Sequence, residues 1–189
     1  MKKINTRDQI LDIAEDLLQE RGFNAFSYKD ISTVMGIKNA AIHYHFPTKS
    51  DLGDALINRF IKRFEEWRDG HVAKGSDPVT LINGYFAITA NFVRNGGKVC
   101  PMGVLEAEFN AISDEMQISL KKFDHIIREF LAETLERGRT DKLLEFDGEP
   151  EHKSLVISAT LQGGLQIARV AGAKAFFATI RQLQRDLKI

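Results

Sequence analysis

Apolar residues recur along this chain at three- and four-residue intervals, and strict alternation is almost nowhere to be found. That pattern predicts an all-α protein. Ile10, Ala14, Leu17 and Leu18 share one face of a first helix that opens at "TRDQ", with Thr6 as the expected cap, Gln9 three residues on, and Gly22 as a left-handed stop. "FSYKDI" marks a second start. Ser27 is its N-cap, Asp30 its third-position acid, and Phe26 and Ile31 stand at the two staple positions. Gly36 ends this helix early. "NAAIHYHF" is a third short helix, stopped by Pro47, and Thr48 with Asp51 opens a fourth.

Beyond the "GHVAKGSDP" break, Asp77–Pro78 starts a helix carrying Leu81, Ile82, Phe86 and Val93 until "NGG". A short helix is expected after Pro101, and a long one over 114–137. The polar loop "GRTDKLLEFDGEP" follows, and two last helices separate near Gly172. The total is about nine helices. Three short ones form an N-terminal domain over residues 1–50, and a helical bundle occupies 51–189.

Composition narrows this little. The 189 residues are 43% hydrophobic and 28% charged, a globular balance, and 26 basic residues match 26 acidic ones. Zero net charge neither points to nor excludes nucleic acid, because a local basic face coexists easily with acidic surface elsewhere. No apolar run reaches membrane-spanning length, so no membrane partner is expected. "MKKINTRDQI" has no apolar core behind its lysines and does not read as a signal peptide. A single cysteine forms no internal disulfide, which suits a reducing, cytoplasmic setting.

The second and third helices, joined by the glycine turn "VMGIKN", have helix-turn-helix spacing over about 27–46. The second helix of such a unit presents its N-terminal residues to base edges in the major groove. Here these are Lys38, Asn39, Ala40 and Ala41, while Ile42 faces inward. Lysine donates to guanine, asparagine pairs with adenine, and alanine allows close approach. Ser27, Tyr28 and Lys29 at the start of the second helix, Tyr44 on the third and Lys49 at the fourth N-terminus are candidate phosphate-side residues. Spacing alone fits a plain three-helix subdomain equally well.

More than spacing is present. "FSYKDISTVMGIKNAAIHYHFPTKSDL" resembles the N-terminal signature of TetR-family bacterial repressors over residues 5–55; beyond that the likeness is one of helix order and length. The resemblance implies an operator-binding transcriptional regulator with a C-terminal domain that binds a small molecule and forms a two-fold dimer. There are departures. Lys38 replaces the usual serine cap, leaving Asn39 as an alternative cap. Ala40 replaces a frequent glycine, and His43 stands where relatives most often carry a tyrosine that resembles a DNA contact. The operator sequence therefore does not carry over.

The back half offers Phe64, Trp67, Tyr85, Phe86, Phe92, Phe109, Phe123 and Phe130 as the apolar wall of an effector pocket, or as core. Gly163, Gly164, Ala168 and Ala171 suit close helix approach, so a homodimer through the last two helices is expected. Cys100 lies in "CPMGVLEAE", which resembles a segment whose cysteine responds to oxidants or electrophiles in some family members; it is either a sensor or a packed apolar residue. No metal or cofactor is expected. His43 and His45, two apart on a helix, point to different sides, and no nucleophile motif or phosphate loop accompanies Cys100, so an enzyme is not expected. The competing reading is a cysteine-based switch or adaptor acting without sequence-specific DNA binding.

Overall fold

In the computed structural model, which describes residues 5–94, 96 and 98–189, helices α1 (Thr6–Arg21), α2 (Tyr28–Met35) and α3 (Asn39–His45) are followed by α4 (Lys49–Ala73), α5 (Pro78–Arg94), α6 (Pro101–Ala107), a 3-10 turn at Phe109–Ala111, α7 (Asp114–Thr140), α8 (Pro150–Ala171) and α9 (Ala173–Asp186). Among the described residues there is no strand. The fold is all-α with an N-terminal helix-turn-helix and a C-terminal helical domain. No helix is long and apolar enough to cross a membrane. The "NGG" stop lies partly outside the described residues, as do the first four positions of the N-terminal segment.

The chain divides into two compact units: Met1–Arg63 with Pro101–Phe123, and Phe64–Cys100 with Asp124–Ile189. The first therefore extends past the boundary expected at 50/51 and takes in a second stretch of chain. Long-range contacts explain the addition. Met116, fully buried, and the ring of Phe23 lie where a side chain on Gly53 would project. Glu108 accepts from the backbone N–H of Asn24 at 3.0 Å and from its side-chain amide at 2.8 Å. The core of this unit is built on Ile10, Leu11, Ala14, Leu17 and Leu18 of α1, closed by Ile31, Ile42, Phe46, Leu52, Leu56 and Ile57. Burying each aliphatic side chain of this kind is worth roughly 1.5–3 kcal/mol.

Two caps differ from expectation. Asn5, not Thr6, caps α1, its Oδ1 accepting from Arg7 N–H at 3.2 Å. Gly22 has φ 95° and ψ 159°, positive but extended rather than left-handed helical, a region essentially confined to glycine. Its missing side chain also leaves the space that the Glu108 carboxylate occupies.

In the second unit α8 and α9 pack as an antiparallel pair, and both touch α5. Ile157, Leu161 and Leu165 of α8 and Phe176, Ile180 and Leu183 of α9 are all buried, and Gly164 lies against the Phe176 ring. The segment expected to be a plain polar loop is not uniformly so: α7 runs on to Thr140, and Leu144 is buried over Gly138.

Candidate nucleic-acid interface

Local chemistry builds the helix-turn-helix. The Asp30 carboxylate accepts from both the N–H and the hydroxyl of Ser27, at 2.8 and 2.7 Å, in a capping box. These bonds, the hydroxyl's first, hold Asp30 below its ordinary pKa. At the other end of α2, Gly36 adopts φ 66° and ψ 29°. Its N–H reaches Thr33 O and the Ile37 N–H reaches Ser32 O, the paired closure of a Schellman turn. The chain then re-enters helix at Asn39. Lys38 is the N-cap residue and makes no side-chain cap bond, so Asn39 is the first helical residue and not an alternative cap.

This places Lys38, Asn39 and Ala40 on the exposed tip of α3, with Ala41 half-buried and Ile42 wholly buried beneath. Tyr44, 84% exposed, stands out from the same helix with its ring edge-on to His45 at 5.2 Å. Ser27 and Lys29 are exposed at the start of α2, with the Ser27 hydroxyl already committed to Asp30.

Tyr28 departs from expectation. It is buried, 7% exposed, and its hydroxyl hydrogen is directed at the carbonyls of Phe46, at 2.8 Å, and Thr48. Burial first, and the nearby Asp51 charge second, push its pKa up to about 12. It therefore holds the α3–α4 turn rather than offering a donor outward. His43 completes the same grip: its Nδ1 bonds to Pro47 O at 3.0 Å, and its ring meets Tyr28 edge-on at 4.7 Å. Three consecutive carbonyls are thus taken by two side chains. Sequence reasoning missed this because these contacts close between residues up to 20 apart in sequence.

Lys49 lies half-buried, its ammonium 4.8 and 4.7 Å from the rings of Phe23 and Phe26. Burial lowers its pKa, opposed by Glu108 and Asp30. The first turn of α4 already carries its own anion: Asp51 accepts from Thr48 N–H and hydroxyl at 2.8 and 2.7 Å.

Of the expected effector residues, Phe64, Trp67, Tyr85 and Phe130 come together, with ring centroids 5.4–6.5 Å apart. Gly84 lets α5 approach the Trp67 indole. Phe86 is fully buried and Phe92 half-buried in the same unit. Phe109 and Phe123 fall in the other unit, Phe109 beneath the Lys121 ammonium and Phe123 in the core. Cys100 is half-exposed just before α6, and its Sγ receives a long bond from Gln162 Nε2 at 3.7 Å. Among the described residues no cluster of three His, Cys, Asp or Glu side chains is arranged to hold a metal ion.

Comparison with known proteins agrees with this architecture. The family model for bacterial regulatory proteins of the tetR family matches residues 10–56. A TetR-family transcriptional regulator from Agrobacterium tumefaciens is 30% identical, with 95% of this chain and 96% of that one aligned at a TM-score of 0.88. A TetR transcriptional regulator from Legionella pneumophila is 31% identical, covering 99% and 100% at the same TM-score. The transcriptional repressor NemR of Escherichia coli is 24% identical over 170 residues, 88% of this chain and 85% of NemR.

Fold and interface together define a helix-turn-helix transcriptional regulator. The chain belongs to the TetR family of bacterial regulatory proteins. It is accordingly a DNA-binding regulator of transcription and not an enzyme.

Proposed function

We propose that α3 enters the major groove of a palindromic operator as one half of a homodimer, and that the protein represses until a small apolar or electrophilic effector releases it. The observation that carries this is the tip of α3. Lys38, Asn39 and Ala40 are exposed together above a fully buried Ile42, so the helix is anchored while its polar tip stays available to base edges. Ala41 lies beside them and Tyr44 and Lys49 flank them; these supply close approach and phosphate contact. Repression is favoured by relatives such as NemR that are named repressors.

Dimerisation through α8 and α9 is supported by the apolar side chains α8 leaves outward. Val156, Ile167 and Val170 are exposed, Val170 92% so, with the small Ala159 and Gly163 on the same stripe. Such a stripe suits burial against a two-fold mate. Effector recognition draws support from the cluster of Phe64, Trp67, Tyr85 and Phe130. A role for Cys100 in sensing electrophiles draws on its partial exposure and on the Gln162 amide, whose N–H stabilises negative charge on sulfur.

Mobility shift against the DNA upstream of the protein's own gene tests the reading. Wild type binds at low salt, and Asn39→Ala loses at least tenfold in affinity. Absence of any shift with purified dimer sinks it. For the effector, Cys100→Ser dimer that still releases DNA with reactive aldehydes or quinones removes the thiol from the mechanism.

A further inference from the structure

His43 sits on the recognition helix with its two ring nitrogens in different situations. Nδ1 is 3.0 Å from the carbonyl oxygen of Pro47. A carbonyl only accepts, so Nδ1 must carry the hydrogen. The Tyr28 ring, edge-on at 4.7 Å, and that bond together fix the plane of the imidazole. The neutral ring is then the Nδ1–H tautomer, and Nε2, on an exposed side chain, is a bare lone pair. A DNA phosphate is also only an acceptor. Nε2 and a phosphate therefore repel until a proton is added between them.

We propose that His43 is a proton-linked DNA contact: operator binding takes up one proton per protomer at Nε2, turning an acceptor into a charged donor to the phosphate backbone. The inference rests on the reading of α3 as the DNA-binding helix. A tyrosine at this position would donate at every ordinary pH; this histidine donates only when protonated. The sign follows from linkage. Contact with an anion favours the charged imidazole, so affinity falls as pH rises through the histidine range, by up to tenfold per pH unit per protomer.

Other titratable and charged groups lie on the elements packed around α3, among them Lys49 of α4, half-buried against the rings of Phe23 and Phe26. The Tyr28 hydroxyl, its pKa pushed up to about 12, stays protonated across the neutral range. Asp51 on α4 is bound by Thr48. Arg7 on α1 has its guanidinium 5.0 Å from the Phe46 ring. His45 is the nearest other imidazole, and its ring meets Tyr44.

The test is fluorescence anisotropy with full-length protein and a labelled duplex enriched from a random-sequence pool on wild-type dimer at about pH 6, titrated from about pH 6 to 8 at several salt concentrations. Wild type weakens as pH rises, and its salt dependence becomes shallower by about one counterion per protomer. His43→Tyr shows neither change, while His45→Gln keeps both. An unchanged pH slope in His43→Tyr overturns the proposal. So does affinity that rises with pH, the sign expected if bare Nε2 instead accepted from a cytosine or adenine amino group. Tight but pH-independent binding by wild type overturns the proton linkage alone. Failure to enrich any duplex overturns the DNA-binding reading with it.

Discussion

Tyr28 and His43 between them bond to the carbonyls of Phe46, Pro47 and Thr48, so side chains hold the turn joining α3 to α4 alongside the backbone bond from Leu52 N–H to Thr48 O. Removing the Tyr28 hydroxyl takes a donor from the Phe46 carbonyl and leaves Thr48 O only the Leu52 N–H. Tyr28→Phe should cost about 1–3 kcal/mol in urea unfolding, with little change in helix content. The same hydroxyl carries a pH signature. Its folded pKa, raised from 10.0 to about 12, means the folded state holds the proton more tightly than the unfolded chain. Its contribution is complete below pH 10 and is lost as pH climbs from 10 toward 12. Wild type should therefore lose stability more steeply than Tyr28→Phe across that window, in melts recorded at stepped pH. Parallel curves for the two proteins would exclude a bound phenol.

At the level of elements, much of the fold is legible from neighbours in the chain. Ser27 with Asp30, Thr48 with Asp51, and Asp77 with Thr80 each make their bond three residues away, the distance a capping box specifies. Asp30 and Asp77 are held below the ordinary 3.8 mainly by these bonds, the first by Ser27 and the second by Thr80. Depressed folded values stabilise the protein above that pH and cease to do so as pH falls through them. An Asp30→Asn, Asp77→Asn double variant should lose less stability than wild type on acidification below about pH 4, measured by thermal melts.

What was not legible depends on partners far along the chain. Asn24 meets Glu108 across 84 positions. Leu144 turns inward in a stretch whose composition reads as loop, because Gly138 leaves it room. Phe109 and Phe123 carry the same apolar signal as Phe64 and Phe130, yet belong to a different unit, since periodicity reports that a face is buried and not against what. Tyr28 reads as a surface donor from its place beside a helix N-terminus, and only the returning α3–α4 turn reveals it as buried. Gly84 is another such case: a methyl group there would press on the Trp67 indole. Gly84→Ala should destabilise by about 1–3 kcal/mol and shift the fluorescence of Trp67, the chain's single tryptophan. Unaltered emission and stability would contradict the close approach of α4 and α5.

At the scale of the whole molecule, recognition by a palindrome requires two copies of α3 in register, and hence a two-fold mate. Val170→Glu introduces a charge into the outward stripe of α8 without touching the packed face of that helix. It should sediment as a folded monomer and bind DNA at least tenfold more weakly, because half the contacts are then lost. A variant that remains dimeric would move the interface away from this stripe.

Whether α3 of a two-fold dimer reads DNA is tested by hydroxyl-radical footprinting of the full-length protein on its selected duplex. Two equivalent protected patches are expected, centred about one helical turn apart (roughly 34–36 Å) or a multiple of it, both lost in Asn39→Ala at the same protein concentration. Protection without two-fold symmetry, or protection that survives Asn39→Ala unchanged, would contradict this expectation.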